Sequence, residues 1–231
     1  GTFDGADYRL DGRGKLTGLA GALAQYRGSA SSAGRLDARG IEPSAFSVDA
    51  TDGQETTKVR MTLAGEAVRG LELEPKPPEK EHPKRVLVKP EHMTGIIDPM
   101  SALTVPVALR DGKIDKTVCQ RTFPVFNGRE RLDIELKFKT MRELKQGGYQ
   151  GEAAVCLARY KPIAGHRSDR KEIEYFSSRT AEVIYVPISG SSLAVPFSVT
   201  LPTPLGPGTI TMTGMKSEGR LRVRAASLAR P

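Results

Sequence analysis

Leu132-Asp133-Ile134-Glu135-Leu136-Lys137-Phe138-Lys139 is the stretch whose reading decides the fold class. Leu132, Ile134, Leu136 and Phe138 alternate with charged residues, which puts all four apolar groups on one face of a strand. A helix of the same sequence would scatter them around its circumference. Just upstream stand Asn127 and Gly128, the dipeptide best able to supply the two positive φ angles of a type I′ turn. Phe123-Pro124-Val125-Phe126 and the residues from Arg129 onward are therefore predicted to form a hairpin.

The same period of two recurs at Val59, Met61 and Leu63, which alternate with Lys58, Arg60 and Thr62. Further strands are predicted at Tyr8 to Leu16, Gly34 to Leu36, Ala45 to Asp49, Val68 to Leu73, Arg85 to Val88, Ala153 to Tyr160, Glu182 to Ile188, Val195 to Leu201, Gly208 to Thr213 and Leu221 to Ala225. Glycine, proline or charged turns separate most of them, so consecutive strands should be antiparallel neighbours. Helix signals are few. Thr17 to Arg27 fits a short helix or a strand pair. In Asp98-Pro99-Met100-Ser101-Ala102-Leu103, Asp98 can cap the first amides and Pro99 suits the first helical position, so one or two turns ending by Pro106 are predicted. Glu74 to Lys84 is too rich in proline and charge for a strand interior and reads as an exposed loop. Positions 161 to 180 form a second polar excursion. A chain of 231 residues fits one large β domain, and a single domain over 1–231 is the expectation.

Composition narrows the function classes. No apolar run approaches the roughly 20 residues of a spanning helix, so no transmembrane segment is predicted. The formal charge of +8 favours anionic partners. Its basic residues are nonetheless interleaved with acidic ones, as in Arg129, Glu130, Arg131 and Asp133, so a nucleic-acid partner is not expected. The two cysteines, Cys119 and Cys156, could be buried thiols, part of a metal site or one disulfide. Neither lies in a C-x-x-C, and His82, His92 and His166 are far from both, so zinc-ligand spacing is absent. A bridge between them would close a loop of about 37 residues, stabilise by about 4 kcal/mol and require an oxidising compartment. The chain opens at Gly1-Thr2-Phe3-Asp4 without a charged-then-apolar leader, so any signal peptide is expected to have been removed.

Catalytic patterns fail one by one. Gly12-Arg13-Gly14-Lys15-Leu16 lacks the first glycine and the final hydroxyl of a phosphate loop. Ser168-Asp169-Arg170-Lys171 matches S-x-x-K, where lysine could activate serine, but no S-D-N or K-T-G accompanies it. His82 and His92, each following a glutamate, invite a metal reading with Asp98, yet they flank an exposed loop and read better as solvated groups. Tyr149, Tyr160, Tyr175, Phe176, Tyr185 and Phe197 either line a ligand cavity or fill the core. No enzyme activity, cofactor or metal is predicted.

Several local patterns together resemble an exported proteobacterial envelope family known as domain of unknown function 3108. Asp98-Pro99-Met100-Ser101-Ala102-Leu103 looks like its D-P-x-S-A-L segment. Cys119 ahead of Phe126-Asn127-Gly128-Arg129 resembles its first cysteine and F-[DN]-G-R hairpin, and Cys156 followed by Pro162-Ile163-Ala164-Gly165 is similar to its second cysteine and P-I-A-G stretch. The resemblance implies a periplasmic location, a large curved antiparallel sheet of half-barrel or β-spiral type, and a Cys119–Cys156 bridge. It supplies no activity. The functional expectation is a non-enzymatic periplasmic protein supporting the cell envelope, with a lipid, lipoprotein, acyl chain or peptide on the concave face. The alternative is an interaction module without a ligand cavity, engaging envelope proteins through the loops Glu74 to Lys84 and Gly165 to Lys171.

Overall fold

The computed structural model describes residues 1–15, 27–36, 40–78, 81–109, 112–204 and 206–214. It is mainly β, with strands paired antiparallel in two sheets, one of them a strongly curled half-barrel. The first sheet is a six-stranded meander: β1 (Thr2–Asp4), β2 (Asp7–Lys15), β3 (Arg27–Leu36), β4 (Ile41–Thr51), β5 (Thr56–Ala64) and β6 (Ala67–Glu74). The second contains β7 (Val105–Pro106), β8 (Thr122–Phe126), β9 (Arg131–Gln146), β10 (Tyr149–Ala164), β11 (Thr180–Pro187), β12 (Leu193–Thr203) and β13 (Gly206–Thr211). Its order runs β13-β12-β11-β10-β9-β8, with β7 added on β12. A helix, α1 (Lys171–Ser177), bridges β10 and β11.

Two sheets rather than one follow from the segment between β6 and β8. Prolines and charges keep 75–78 and 81–104 out of regular pairing, so the sheet does not continue through these residues. Arg85 to Val88, predicted as a strand, makes only an isolated bridge from Arg85 to Arg167. The same segment supplies apolar cover. Ile96 joins Phe46, Val59, Met61, Leu63 and Phe126 in one buried cluster, with Val88, Met93 and Met100 packed against it. Further along, Val105, Val107, Ile114, Val118 and Cys119 cover Leu136, Ala154, Cys156, Ala158, Val183 and Tyr185 of the second sheet. A third cluster, containing Leu144, Ala153, Val155, Ile184, Val186 and Phe197, buries alternate residues of β10 and β11. Those strands are thus apolar on both faces.

The hairpin around Asn127 forms, but not with the predicted turn. Phe126 pairs with Arg131, leaving a four-residue loop. Gly128 alone in that loop has a positive φ, +93°. Asn127 acts instead through its side chain: Oδ1 accepts the amides of Arg129 and Glu130 at 2.9 and 2.7 Å. This local substitute for a backbone turn is typical of asparagine. Two consecutive positive φ angles appear at Gly147-Gly148, +59° and +78°, between the paired residues Gln146 and Tyr149. That is the two-residue primed hairpin, and glycine adopts it without Cβ strain.

Strand bounds shift in other ways. β3 begins at Arg27, seven residues before the predicted Gly34, through a Gly-Ser-Ala run of weak strand preference. β10 runs on to Ala164, shortening the predicted excursion at 161–180. The predicted elements at Leu221 to Ala225 and over residues 17–26 lie outside the described residues.

Candidate functional site

The sequence-predicted Asp98 caps the turn it opens. Its Oδ1 accepts the amides of Met100 and Ser101 at 2.9 and 3.0 Å, and Ser101–Leu103 follows as a single 3-10 turn. Thr104 then leads into β7, so the turn stops before Pro106 as predicted. Pro99, having no amide, leaves the carboxylate to the next two residues.

Asp98 also does something that sequence reasoning did not foresee. Its side chain is wholly buried, and Oδ2 accepts hydroxyl hydrogen bonds from Ser101 at 2.5 Å and from Ser32 of β3 at 2.9 Å. Tyr8 of β2 closes the cluster, its hydroxyl 2.7 Å from Ser101 Oγ. The four residues come from three parts of the chain, β2, β3 and the 98–104 turn, Tyr8 and Ser101 lying 93 positions apart. Burial pushes the Asp98 carboxyl above its ordinary range, with the hydrogen bonds from Ser101, Ser32 and Met100 pulling the other way. Burial likewise raises the Tyr8 phenol. The network pins the 98–104 turn to the first sheet.

Ile97, next to Asp98, carries the connection onward. Its amide donates to the Pro124 carbonyl at 2.9 Å and its carbonyl accepts the Phe126 amide at 3.0 Å, so the residue immediately before the D-P-x-S-A-L stretch is bonded to β8. The turn after β8 then meets the first sheet. A Cβ at Gly128 would fall 2.5 Å from Val59 Cγ1 and 3.4 Å from Leu71 Cδ1, so only glycine lets the loop lie so close. Gly165 serves the same end on the other side, because a Cβ there would overlap the Arg129 carbonyl oxygen and come within 2.7 Å of Glu130 Cα. The three family-like stretches, 98–103, 126–129 and 162–165, therefore meet along one seam between the sheets.

Cys119 and Cys156 form a disulfide at 2.00 Å, both fully buried. It fastens the 105–119 cover to β10. Tyr185, in the same cluster, is pushed up to about 12 by burial, while Arg121, within its electrostatic reach, is pushed down by burial.

At the seam's outer end the two predicted loops come together. Val86 bonds to the 165–166 backbone through both its polar groups: its amide donates to the His166 carbonyl at 2.9 Å, and its carbonyl accepts the Gly165 amide at 2.6 Å. Ser168 donates both its amide and its hydroxyl to the Lys84 carbonyl, at 2.9 and 3.1 Å. The S-x-x-K serine is thus engaged with a backbone carbonyl, and Lys171 opens α1. Arg167 grips Asp169 through two nitrogens, holding that carboxyl down at about 2.

The remaining candidates separate. His82 and His92 each accept a nearby backbone amide at Nδ1, from Lys84 at 3.2 Å and from Lys89 at 3.1 Å. Among the described residues no group of three or more His, Cys, Asp or Glu is arranged to hold a metal ion. The aromatic set does not converge: Tyr185 and Phe197 sit in different buried clusters, and Tyr175 and Phe176 pack edge-to-face on α1. Among the described residues no helix is long and apolar enough to cross a membrane.

These features define a disulfide-fastened, two-sheet β protein whose family-like stretches build the junction between its sheets. The family described as protein of unknown function (DUF3108) matches residues 2–213, and the chain belongs to it. No curated protein and no solved structure matches the chain.

Proposed function

We propose that this is a non-enzymatic periplasmic protein of the cell envelope that works as an interaction module, with loops 74–84 and 165–171 forming one recognition surface for an envelope protein. The observation that carries this reading is their attachment where the first loop ends: the Lys84 carbonyl accepts the Ser168 amide and hydroxyl, and Val86, two residues on, adds two backbone hydrogen bonds to Gly165 and His166. Two loops so joined present their exposed side chains as a unit, which lowers the ordering cost of binding. The disulfide supports the assignment to an oxidising compartment.

The curled sheet favours a second reading, a lipid, acyl chain or peptide held on a concave face. Against it, the buried apolar side chains of the two sheets pack into three clusters, two of them covered by residues between 88 and 119, and the large apolar groups left exposed on the second sheet among the described residues, Phe138, Ile163, Leu201 and Ile210, are few. Photo-cross-linkers placed at Lys76 and at Asp169 in intact cells test the first reading. The same protein captured from both sites, and lost when either loop is replaced by a Gly-Ser stretch, is the expected result. Different products from the two sites, or a lipid-sized adduct in native mass spectrometry unaffected by loop replacement, would overturn it.

A further inference from the structure

Beside the joined loops, Arg85, Arg167, Arg170, Glu130, Glu172 and Ile173 line a recess of about 320 Å³. Arg167 spends Nε and Nη2 on Asp169, at 3.1 and 2.8 Å, which leaves its Nη1 donors over. Arg85 donates Nη1 to the Gly165 carbonyl at 2.5 Å. Its Nε lies 2.9 Å from a Glu81 oxygen, close enough for an ion pair but not aligned for a hydrogen bond, so a buried N–H is left without an acceptor. Two guanidiniums are therefore fixed in place with donors unspent.

Arg85 and Arg167 have carboxylate partners in Glu81 and Asp169, but the rest of the wall does not. Among the described residues Arg170, Glu130 and Glu172 form no ion pair, although all three face one small space. With Arg85 and Arg167 already compensated by Glu81 and Asp169, the uncompensated groups facing the recess are one cation, Arg170, and two anions, Glu130 and Glu172, beside guanidinium donors still unspent, and this mixture suits a ligand that carries both signs. A bare dianion would meet two carboxylates and a bare cation three guanidiniums, so each would be opposed by part of the site.

We infer that this recess binds a phosphate with an ammonium a few bonds away, the chemistry of phosphoethanolamine. The fork of Arg170 and the N–H donors left on Arg167 and Arg85 together outnumber what the two oxygens of one carboxylate can use, and they suit the three oxygens of a phosphate. Glu130 and Glu172 accept from the ammonium, and Ile173 lies against the methylenes between. The inference rests on the joined-loop surface of the proposed function for its place, and it adds the ligand's chemical class.

Titration followed on the arginine Nε–Hε resonances tests it, with O-phosphoethanolamine, inorganic phosphate and glycylglycine as probes. O-phosphoethanolamine is expected to shift the Arg85, Arg167 and Arg170 signals and to bind about tenfold tighter than inorganic phosphate. R170A should weaken it about tenfold, and E130Q/E172Q should bring inorganic phosphate to parity. Co-sedimentation with phosphatidylcholine vesicles, with and without phosphatidylethanolamine, separates the sources: R170A-sensitive binding only to the vesicles that contain phosphatidylethanolamine assigns a lipid headgroup, and its absence a soluble one. Equal or tighter binding of glycylglycine would reassign the recess to a peptide terminus and overturn the proposal, as would unshifted resonances or an R170A protein that binds unchanged. Because this readout needs no protein partner, its failure is distinguishable from failure of the cross-linking experiment.

Discussion

Replacing Asp98 by alanine should cost about 3 kcal/mol of stability, and the structure says where that figure comes from. The carboxylate accepts the amides of Met100 and Ser101 and the hydroxyls of Ser32 and Ser101. Without it, the hydroxyls can still bond to each other and to Tyr8, since Ser32 and Ser101 lie 2.9 Å apart and Tyr8 2.7 Å from Ser101. The amides have no such reserve. Two donors left without acceptors cost about 1–3 kcal/mol each, partly offset by removal of a carboxyl whose burial is itself unfavourable. Asp98→Asn keeps a carbonyl for the amides and offers an NH₂ to hydroxyls able to accept, so it should cost about 1 kcal/mol or less. With no tryptophan in the chain, urea unfolding is best followed by circular dichroism. The pH dependence supplies a second reading. Burial raises the folded-state value of Asp98 above that of the unfolded chain, so its contribution is greatest at low pH and declines as pH rises through the folded value. The difference between wild type and D98N should therefore move against the wild type on going from acid to neutral pH. An alanine variant as stable as the wild type, or an asparagine variant as damaged as the alanine, would refute this account of the network.

Three further outcomes are expected. The double substitution C119A/C156A should lower stability by about 4 kcal/mol for a bridge spanning 37 positions, read as a shift in the urea midpoint. Gly165→Ala forces a Cβ against the Arg129–Glu130 backbone at a φ of +89°, and should cost about 2 kcal/mol or more while raising amide exchange at Val86 and Ser168. Asn127→Ala removes the acceptor for two turn amides and should cost about 1–2 kcal/mol, with amide exchange rising at Arg129 and Glu130.

How legible the molecule was depended on whether each signal was local. The alternation from Leu132 to Lys139 marked the strand correctly, with Lys137 and Lys139 exposed, but of its four apolar residues Leu136 alone is buried and Phe138 is exposed. β10 and β11 contain continuous buried runs, 153–156 and 183–187, and there a period of two gives way to continuous apolar character. The Gly-Ser-Ala composition of β3 hid most of that strand, since small residues carry little strand preference and the pairing comes from β2 and β4. At the candidate site, the Asp98 cap was visible within its own six residues. Its partners Tyr8 and Ser32 were not, because a hydroxyl in a strand gives no sign of the distant carboxylate it will meet. Likewise each loop was recognisable by proline and charge, while their attachment to one another depends on carbonyls that sequence patterns do not mark.

The cover that residues 88–126 provide has a consequence for a chain synthesised from its amino end. All pairings of the first sheet are between neighbours in sequence, so its six strands can assemble as soon as Glu74 is available. Its apolar side cannot be closed then, because Ile96 and Phe126 have yet to arrive. Over some fifty residues of elongation the nascent meander holds Phe46, Val59, Met61 and Leu63 open to water or to whatever chaperone is near. A fragment ended at residue 85 should accordingly aggregate, and one ended at 130 should be the shortest to keep that sheet in solution.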